Sequence, residues 1–426
     1  MKILIKKGHV VDPANDINGV RDILLEKDKI SRIEKSIGIK ADRVIDAEGK
    51  IVMPGIVDMH VHLREPGRED KETIETGTRA ALKGGVTSLL AMPNTNPCID
   101  NTDAMELLRK IIKATAQANV FIAAAITKRR LGEELADIGS LKKMGAAAIT
   151  DDGNSVDSLA LLQEALKKAK QHRICVVCHC EDKVLSASGV VNLGIISTRL
   201  GLRGISKASE YTRVERDIRL AEKAKTPLHI AHVSCKESVE LIARGKKRGV
   251  KVTAETAPHY FSLSQEALLD YDTNMKMNPP LRTKEDVEAI RAGLKDGIID
   301  VIASDHAPHT ESEKEIEFER AECGVIGLET ELAVSITELI QAKILDWPDL
   351  VRKLSLNPAR ILNINKGDLG IGNTADIIVV SPDKEWLVKK ESFLSKSKNS
   401  AFLGKTLKGL VEHTILAGKI AYSLSQ

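Results

Sequence analysis

From residue 52 onward the chain alternates short apolar or β-branched runs with amphipathic stretches, and this alternation restricts the fold more than any other feature. The runs are GIVDMHVHL, GVTSLLAMP, VFIAAAIT, AAAITDD, RICVVCHC, PLHIAHVS, VKVTAETAP and IIDVIASD. Between them, residues 102–117, 155–170, 210–224 and 284–295 place apolar side chains at three- and four-residue spacing, the period of a helix packed on one face. Strands separated by helices predict parallel pairing with helical crossovers. Eight such units predict an α/β fold of the TIM type, a (β/α)8 barrel. With 426 residues the chain is long enough for that barrel and a small companion domain.

The two ends have a different character. Residues 1–52 hold the strand-like pieces KILIKKGHVVD, RDILLEKDKISRIEK and RVIDAEGKIVMP, joined by Gly, Asp and Asn turns with no helical period between them. Residues 361–426 repeat this style in ADIIVVSP and HTILAGKIAYS. The expected organisation is therefore a β-sandwich domain assembled from 1–52 and 361–426, beside a catalytic barrel spanning 53–360. A net charge of +3 on a chain with 29% charged residues implies no nucleic-acid partner. The longest apolar runs fall far short of a membrane span, and MKILIKKGHVVDP lacks a signal-peptide core, so a cytoplasmic enzyme without a membrane partner is expected. Six cysteines form no disulfide framework. In CVVCHC, Cys175 and Cys178 face opposite ways on a strand and read as packed, reduced thiols.

Polar residues interrupt the apolar runs at telling places. Barrel chemistry sits at the C-terminal ends of the strands, and there this sequence offers His60 and His62, Asp152, His179, His232 and Asp305. Residues at i and i+2 of a strand point the same way, so His60 and His62 can reach one ion, and the other strands converge on the same axis. Four imidazoles and two carboxylates exceed the needs of one tetrahedral ion and suit a hydrolytic site for one or two zinc ions. Zinc-bound water ionises near neutral pH, giving a hydroxide nucleophile without Ser or Cys. Asp305, in ASDHAPH, is the expected acid/base that carries the proton to the leaving nitrogen.

The ordered set DMHVHLREPG, AMPNTNP, ITDDG, HCED, HIAHVS, KMNPPLR and SDHAPH, spread over residues 58–309, resembles the type I bacterial dihydroorotases of the amidohydrolase superfamily. The resemblance implies a metallo-dependent hydrolase barrel flanked by a composite β-domain. It also implies reversible conversion of N-carbamoyl-L-aspartate to L-dihydroorotate in pyrimidine (UMP) biosynthesis. On matching positions His60, His62, Asp152, His179, His232 and Asp305 resemble the zinc ligands, and His62, Arg64, Asn94, Asn278, His309 and the Cys323-Gly324 backbone resemble the substrate contacts. Arg64 also follows from chemistry, since a guanidinium fork matches a substrate carboxylate. Cys323 departs from the family, which often has Phe or a similar apolar residue before that glycine.

Other residues receive lesser readings. His229 is expected to face away from His232, while His259 and His306 are expected to orient ligands from behind. His9, His172 and His413 read as surface or packed histidines, and Gly55, Gly67, Gly84 and Gly85 as turn residues. The charged segment 309–324 reads either as a solvated loop or as a mobile lid. The expected partners are a small-molecule substrate, a second copy of the chain in a dimer and, in one reading, aspartate carbamoyltransferase. Two alternatives stay open. One is another cyclic amide hydrolase (hydantoinase, dihydropyrimidinase or allantoinase), although these usually carry a carboxylated lysine on the fourth strand where AAAITDDG offers Asp152. The other is a catalytically weak partner of aspartate carbamoyltransferase.

Overall fold

A computed structural model describes residues 1–424. The chain opens with β1 (Lys2–Asp12), β2 (Ile17–Glu26), β3 (Lys29–Glu34), β4 (Arg43–Asp46) and β5 (Ile51–Pro54). It then enters a second sheet with β6 (Ile56–Val61), β7 (Val86–Ala91), β8 (Asn119–Ala124), β9 (Ala146–Ile149) and β10 (Cys175–Cys178). A two-residue ribbon, β11 (Val191–Asn192) and β12 (Gly204–Ile205), precedes β13 (Leu228–Ile230), β14 (Val252–Thr256) and β15 (Val301–Ile302). The chain ends with β16 (Ile377–Leu387), β17 (Thr406–Leu416) and β18 (Lys419–Ser423).

All pairings from β6 through β10 and on through β13 to β15 are parallel, in chain order. The ring closes where Val61 bridges His306 and the His62 amide donates to the His306 carbonyl at 2.8 Å. This is the expected eight-stranded barrel. On β10, Val176 and Cys178 pack outward with helix residues such as Leu162, Ala165 and Ile218, whereas Cys175 and Val177 join Leu90, Ala123 and Val301 in the interior cluster. The two thiols therefore do face opposite ways. Helices form where the apolar spacing requires them, at Thr102–Thr115, Ala208–Ala224 and Lys284–Lys295. The helix expected over 155–170 instead spans Leu159–His172, because Ser158 accepts from the Leu161 amide and caps its start.

The two termini share one sheet, ordered β18-β17-β16-β5-β1-β2-β3 with β4 beside β1. They join where β16 runs antiparallel to β5, Ile377 opposite Pro54 and Val380 opposite Ile51. The sheet folds back on itself. Ile30 of the end strand β3 bonds Asn373 in the loop ahead of β16, and Ile3, Ile23, Val52, Ile377 and Ile415 fill one apolar cluster inside.

Gly84 ends the helix Ile74–Gly84 and is no turn residue, contrary to the expectation. A Cβ there would lie 1.9 Å from the Leu328 carbonyl, so glycine lets the helix touch the backbone that follows the eighth strand. Gly85 supplies the left-handed cap at φ 86°. Gly84→Ala is therefore expected to cost roughly 2 kcal/mol or more, seen as a lowered unfolding temperature, while Gly38→Ala, with no atom within 4 Å of its Cβ, stays within about 0.5 kcal/mol of the parent.

Candidate metal centre

Five strands deliver the six residues to one spot at the C-terminal mouth of the barrel. His60 lies in β6 and His62 one residue past it; Asp152, His179, His232 and Asp305 follow β9, β10, β13 and β15. The Asp152 carboxylate is the centre. Its Oδ1 lies 3.3 Å from His60 Nε2, 3.4 Å from His232 Nε2 and 3.6 Å from His179 Nδ1, and its Oδ2 lies 3.5 Å from His62 Nε2. Asp305 Oδ1 sits at 3.6 Å from His60 Nε2 and 3.5 Å from His62 Nε2. Two trios have ligand atoms close enough to hold an ion, His60–Asp152–His232 and His60–His62–Asp305, and they share His60.

Three of the rings are oriented from behind. His60 Nδ1 donates to Glu255 Oε1 at 2.6 Å, His62 Nδ1 to Asn94 Oδ1 at 2.9 Å, and His179 Nε2 to Glu181 Oε2 at 3.2 Å. Each outward bond holds one ring proton away from the centre, so the inward nitrogen is the one that gives up its proton when a cation takes its place. These inward atoms fit a cation. His60 Nε2 and Asp152 Oδ1 are buried and make no hydrogen bond, and His179 Nδ1 and His232 Nε2 share a hydrogen bond at 2.8 Å, so both turn their nitrogens to the same point.

The electrostatics agree. Burial would push the His60 imidazole down, but Asp152, Glu255 and Asp305 outweigh it and hold it well above the usual histidine range. His179 is raised to about 9 against its burial by Asp152 and Glu181. Burial would likewise raise both carboxyls of the cage. The charge on His60 and the closeness of the His179 and His232 rings hold Asp152 well below the carboxylate range, and His60 with His62 brings Asp305 to about 2. A cage with these properties concentrates negative potential and favours any positive charge placed in it. Backbone geometry adds to this. Arg64, His232 and Asp305 have φ of 62°, 33° and 49°, a region that non-glycine residues rarely occupy outside functional turns.

Beside the cage lies a cationic pocket. Arg64 Nε donates to the Pro308 carbonyl at 3.1 Å, and its Nη2 lies 3.2 Å from His309 Nε2. Lys71 Nζ donates to His309 Nδ1 at 3.1 Å, which places the ring proton on Nε2, where it donates to the Cys323 carbonyl at 2.8 Å. Burial, Arg64 and Lys71 all disfavour a charged His309, so the ring is held neutral far below the usual range. Asn278 Nδ2 donates to Glu181 Oε2 at 3.2 Å. Gly324 is less free than expected, because its amide donates to the Lys276 carbonyl and its own carbonyl accepts from Lys314 and Asn399.

Several expectations need correction. His229 does not turn away from the centre; strand alternation breaks at His232, and His229 Nε2 meets Glu255 Oε2 at 3.1 Å, behind His60. His306 orients no ligand, because its Nε2 meets Glu72 and its Nδ1 accepts from the Gly327 amide, bracing loops instead. His259 packs on the Tyr260 ring, its Nε2 is without a hydrogen bond, and burial lowers it to about 4. The residues that sequence reasoning missed are Glu255, Glu181 and Lys71. A carboxylate inside the apolar run VKVTAETAP was the available sign of the first, and one two residues beyond a strand-end histidine in HCED was the sign of the second.

A parallel barrel with a histidine and aspartate cage at its C-terminal mouth defines the class of metal-dependent hydrolase barrels. Comparison with known proteins narrows this. A family described as Dihydro-orotase-like matches residues 49–238. The chain is 51% identical to a dihydroorotase of Elusimicrobium minutum over 420 residues, covering 99% of this chain and 97% of that one. It is 50% identical to a dihydroorotase of Acetivibrio thermocellus, covering 98% of each. Among solved structures, an L-hydantoinase (dihydropyrimidinase) from Arthrobacter aurescens superposes with a TM-score of 0.89 at 25% identity, covering 98% of this chain and 95% of the other. A dihydropyrimidinase from Brevibacillus agri shares the fold with a TM-score of 0.88 at 23% identity, covering 100% and 96%. The chain belongs to the dihydroorotase family, and it is an enzyme. No helix among the described residues is long and apolar enough to cross a membrane.

If the bond to Glu255 orients His60, Glu255→Gln is expected to weaken divalent-cation binding by roughly 10–100-fold in chelator competition. Unchanged affinity would mean that His60 is oriented by other groups.

Proposed function

We propose that this chain interconverts N-carbamoyl-L-aspartate and L-dihydroorotate, with zinc, as one or two ions, held by His60, His62, Asp152, His179, His232 and Asp305. The observation that carries the reading is the placement of this cage beside a cationic pocket, so that one site offers a cation position and a carboxylate receptor. Zinc, when bound, lowers the pKa of coordinated water toward neutrality and polarises a carbonyl.

The chain's own groups do the rest. Arg64 binds the substrate carboxylate with His309 beside it, and Lys71, by donating to Nδ1, keeps the ring proton on Nε2, where it holds the Cys323 carbonyl. Asn278 and the Cys323-Gly324 edge bound the ring, with Asn94 holding His62 in line. Asp305 is ionised at neutral pH, because His60 and His62 outweigh its burial. In the ring-opening direction it accepts a proton at its carboxylate as the nucleophile adds to the ring carbonyl, then returns it to the departing ring nitrogen. The reverse direction uses the same carboxyl to take the proton from the attacking carbamoyl nitrogen.

Residues 1–52 and 361–426 then form a supporting β-domain around the catalytic barrel, 53–360. A cytoplasmic dimer, alone or with aspartate carbamoyltransferase, is the expected form in the cell. The second reading, hydrolysis of another cyclic amide, is favoured by the likeness to hydantoinase structures. It is disfavoured by Asp152, since a carboxylated lysine is expected at that place in such enzymes.

Turnover of dihydroorotate, hydantoin and allantoin by the zinc-loaded protein decides between them. Dihydroorotate is the expected substrate, and turnover of another ring alone would contradict the proposal. Asp305→Asn is expected to lower both directions of the dihydroorotate reaction by about 100-fold or more, and near-parental rates would show that another group carries the proton.

A further inference from the structure

The lid segment 309–324 contains a second arrangement that the cage does not explain. Lys276 precedes the Asn278 segment, is only 3% exposed, and points its ammonium group into the lid. Its Nζ lies 2.9 Å from the Phe318 carbonyl, 2.8 Å from that of Glu319 and 2.6 Å from that of Ala321, so all three N–H donors are used. The Phe318 ring centroid is 5.7 Å from the same nitrogen. Lys314, 4% exposed, reaches from the lid's short helix to the carbonyls of Glu322 at 2.8 Å and Gly324 at 3.1 Å. Two ammonium groups thus gather five carbonyls from residues 318–324.

Neither lysine forms a close ion pair with a carboxylate among the described residues; backbone carbonyls are their direct partners, with the Phe318 ring over Lys276 and Glu319, Glu322 and Asp272 acting from further away. Burying an ammonium group costs several kcal/mol unless its donors are all satisfied. The five carbonyls converge on the two ammonium groups in the folded-down conformation of this segment, which is the one that buries both lysines. Were the lid to lift, water would hydrate both ammonium groups and offset much of the lost bonding. Such a latch holds a loop in place and still lets it open.

The latched stretch runs directly into the pocket. The Gly324 amide donates back to the Lys276 carbonyl at 2.9 Å, and the Cys323 carbonyl accepts from His309 Nε2 at 2.8 Å. Gly324 has φ of 124°, and a Cβ there would come 2.6 Å from the Ala307 side chain, so the lid edge fits closely against the strand-eight loop. The position of His309's partner therefore depends on where Lys276 and Lys314 hold residues 318–324.

We propose that Lys276 and Lys314 are positioning residues, whose ammonium groups latch the 318–324 backbone over the pocket and so set substrate affinity. The claim about affinity rests on the dihydroorotase reading, whereas the latch itself does not. The test uses full-length zinc-loaded protein carrying Lys276→Met or Lys314→Met, substitutions that keep the apolar stem and remove the charge. Amide hydrogen exchange across 315–324 is expected to speed up by roughly tenfold or more with the barrel strands unchanged. KM for L-dihydroorotate is expected to rise by about tenfold while kcat stays within about threefold, as for an interaction made equally in ground and transition states.

Unchanged lid exchange in both variants would overturn the latch. Faster exchange with an unchanged KM, or a fall in kcat alone, would overturn its link to substrate affinity. If Lys276→Met does not fold, Lys314→Met decides by the same readings. If the parent protein does not turn over dihydroorotate, the functional reading fails on its own, and the exchange measurement still decides the latch.

Discussion

The Asp152 carboxylate, ringed by the inward nitrogens of four histidines, is the contact on which the site depends. Neither partner is stable in that place alone. A carboxylate so deeply buried would protonate, and imidazoles so close together would repel; each is kept in its required state by the other. The barrel's parallel strands make this possible, because they end on one rim and aim side chains from β6, β9, β10, β13 and β15 at a common point. The composite sheet joins the two ends of the chain at the opposite end of the barrel, where Thr414 of β17 donates to the Leu82 carbonyl just ahead of β7.

Around the cage, function rests on side chains that touch no substrate. Glu255 bonds both His60 and His229, so one carboxylate orients a ligand ring and anchors it to the neighbouring strand. Glu181 similarly links His179 to Asn278, joining the cage to the segment that follows β14. Lys71 fixes the tautomer of His309, and its own charge is met by Glu313 at 2.9 Å. The 318–324 backbone, in turn, is bonded by two ammonium groups.

Much of this was legible in the sequence, and physics separates what was legible from what was not. Strand and helix periods are local properties, so the eight units and the strand-end positions of His60, His62, Asp152, His179, His232 and Asp305 could be read directly. The composite sheet was readable in outline because both termini share a turn-rich, helix-free style. The role of Gly84 was not, since it depends on a backbone more than 240 positions away in sequence meeting the helix end. The contacts of Lys276 and Lys314 were not legible for the same reason: carbonyl groups have no sequence signature. The misreading of His229 came from applying strand alternation through His232, where the backbone turns to positive φ and the alternation ends.

Zinc-edge anomalous diffraction from crystals grown with excess zinc addresses the central claim most directly. The account predicts anomalous density within bonding distance, about 2.0–2.2 Å, of His60 Nε2 and the Asp152 carboxylate. Density elsewhere on the chain, or none at this cage, would contradict it.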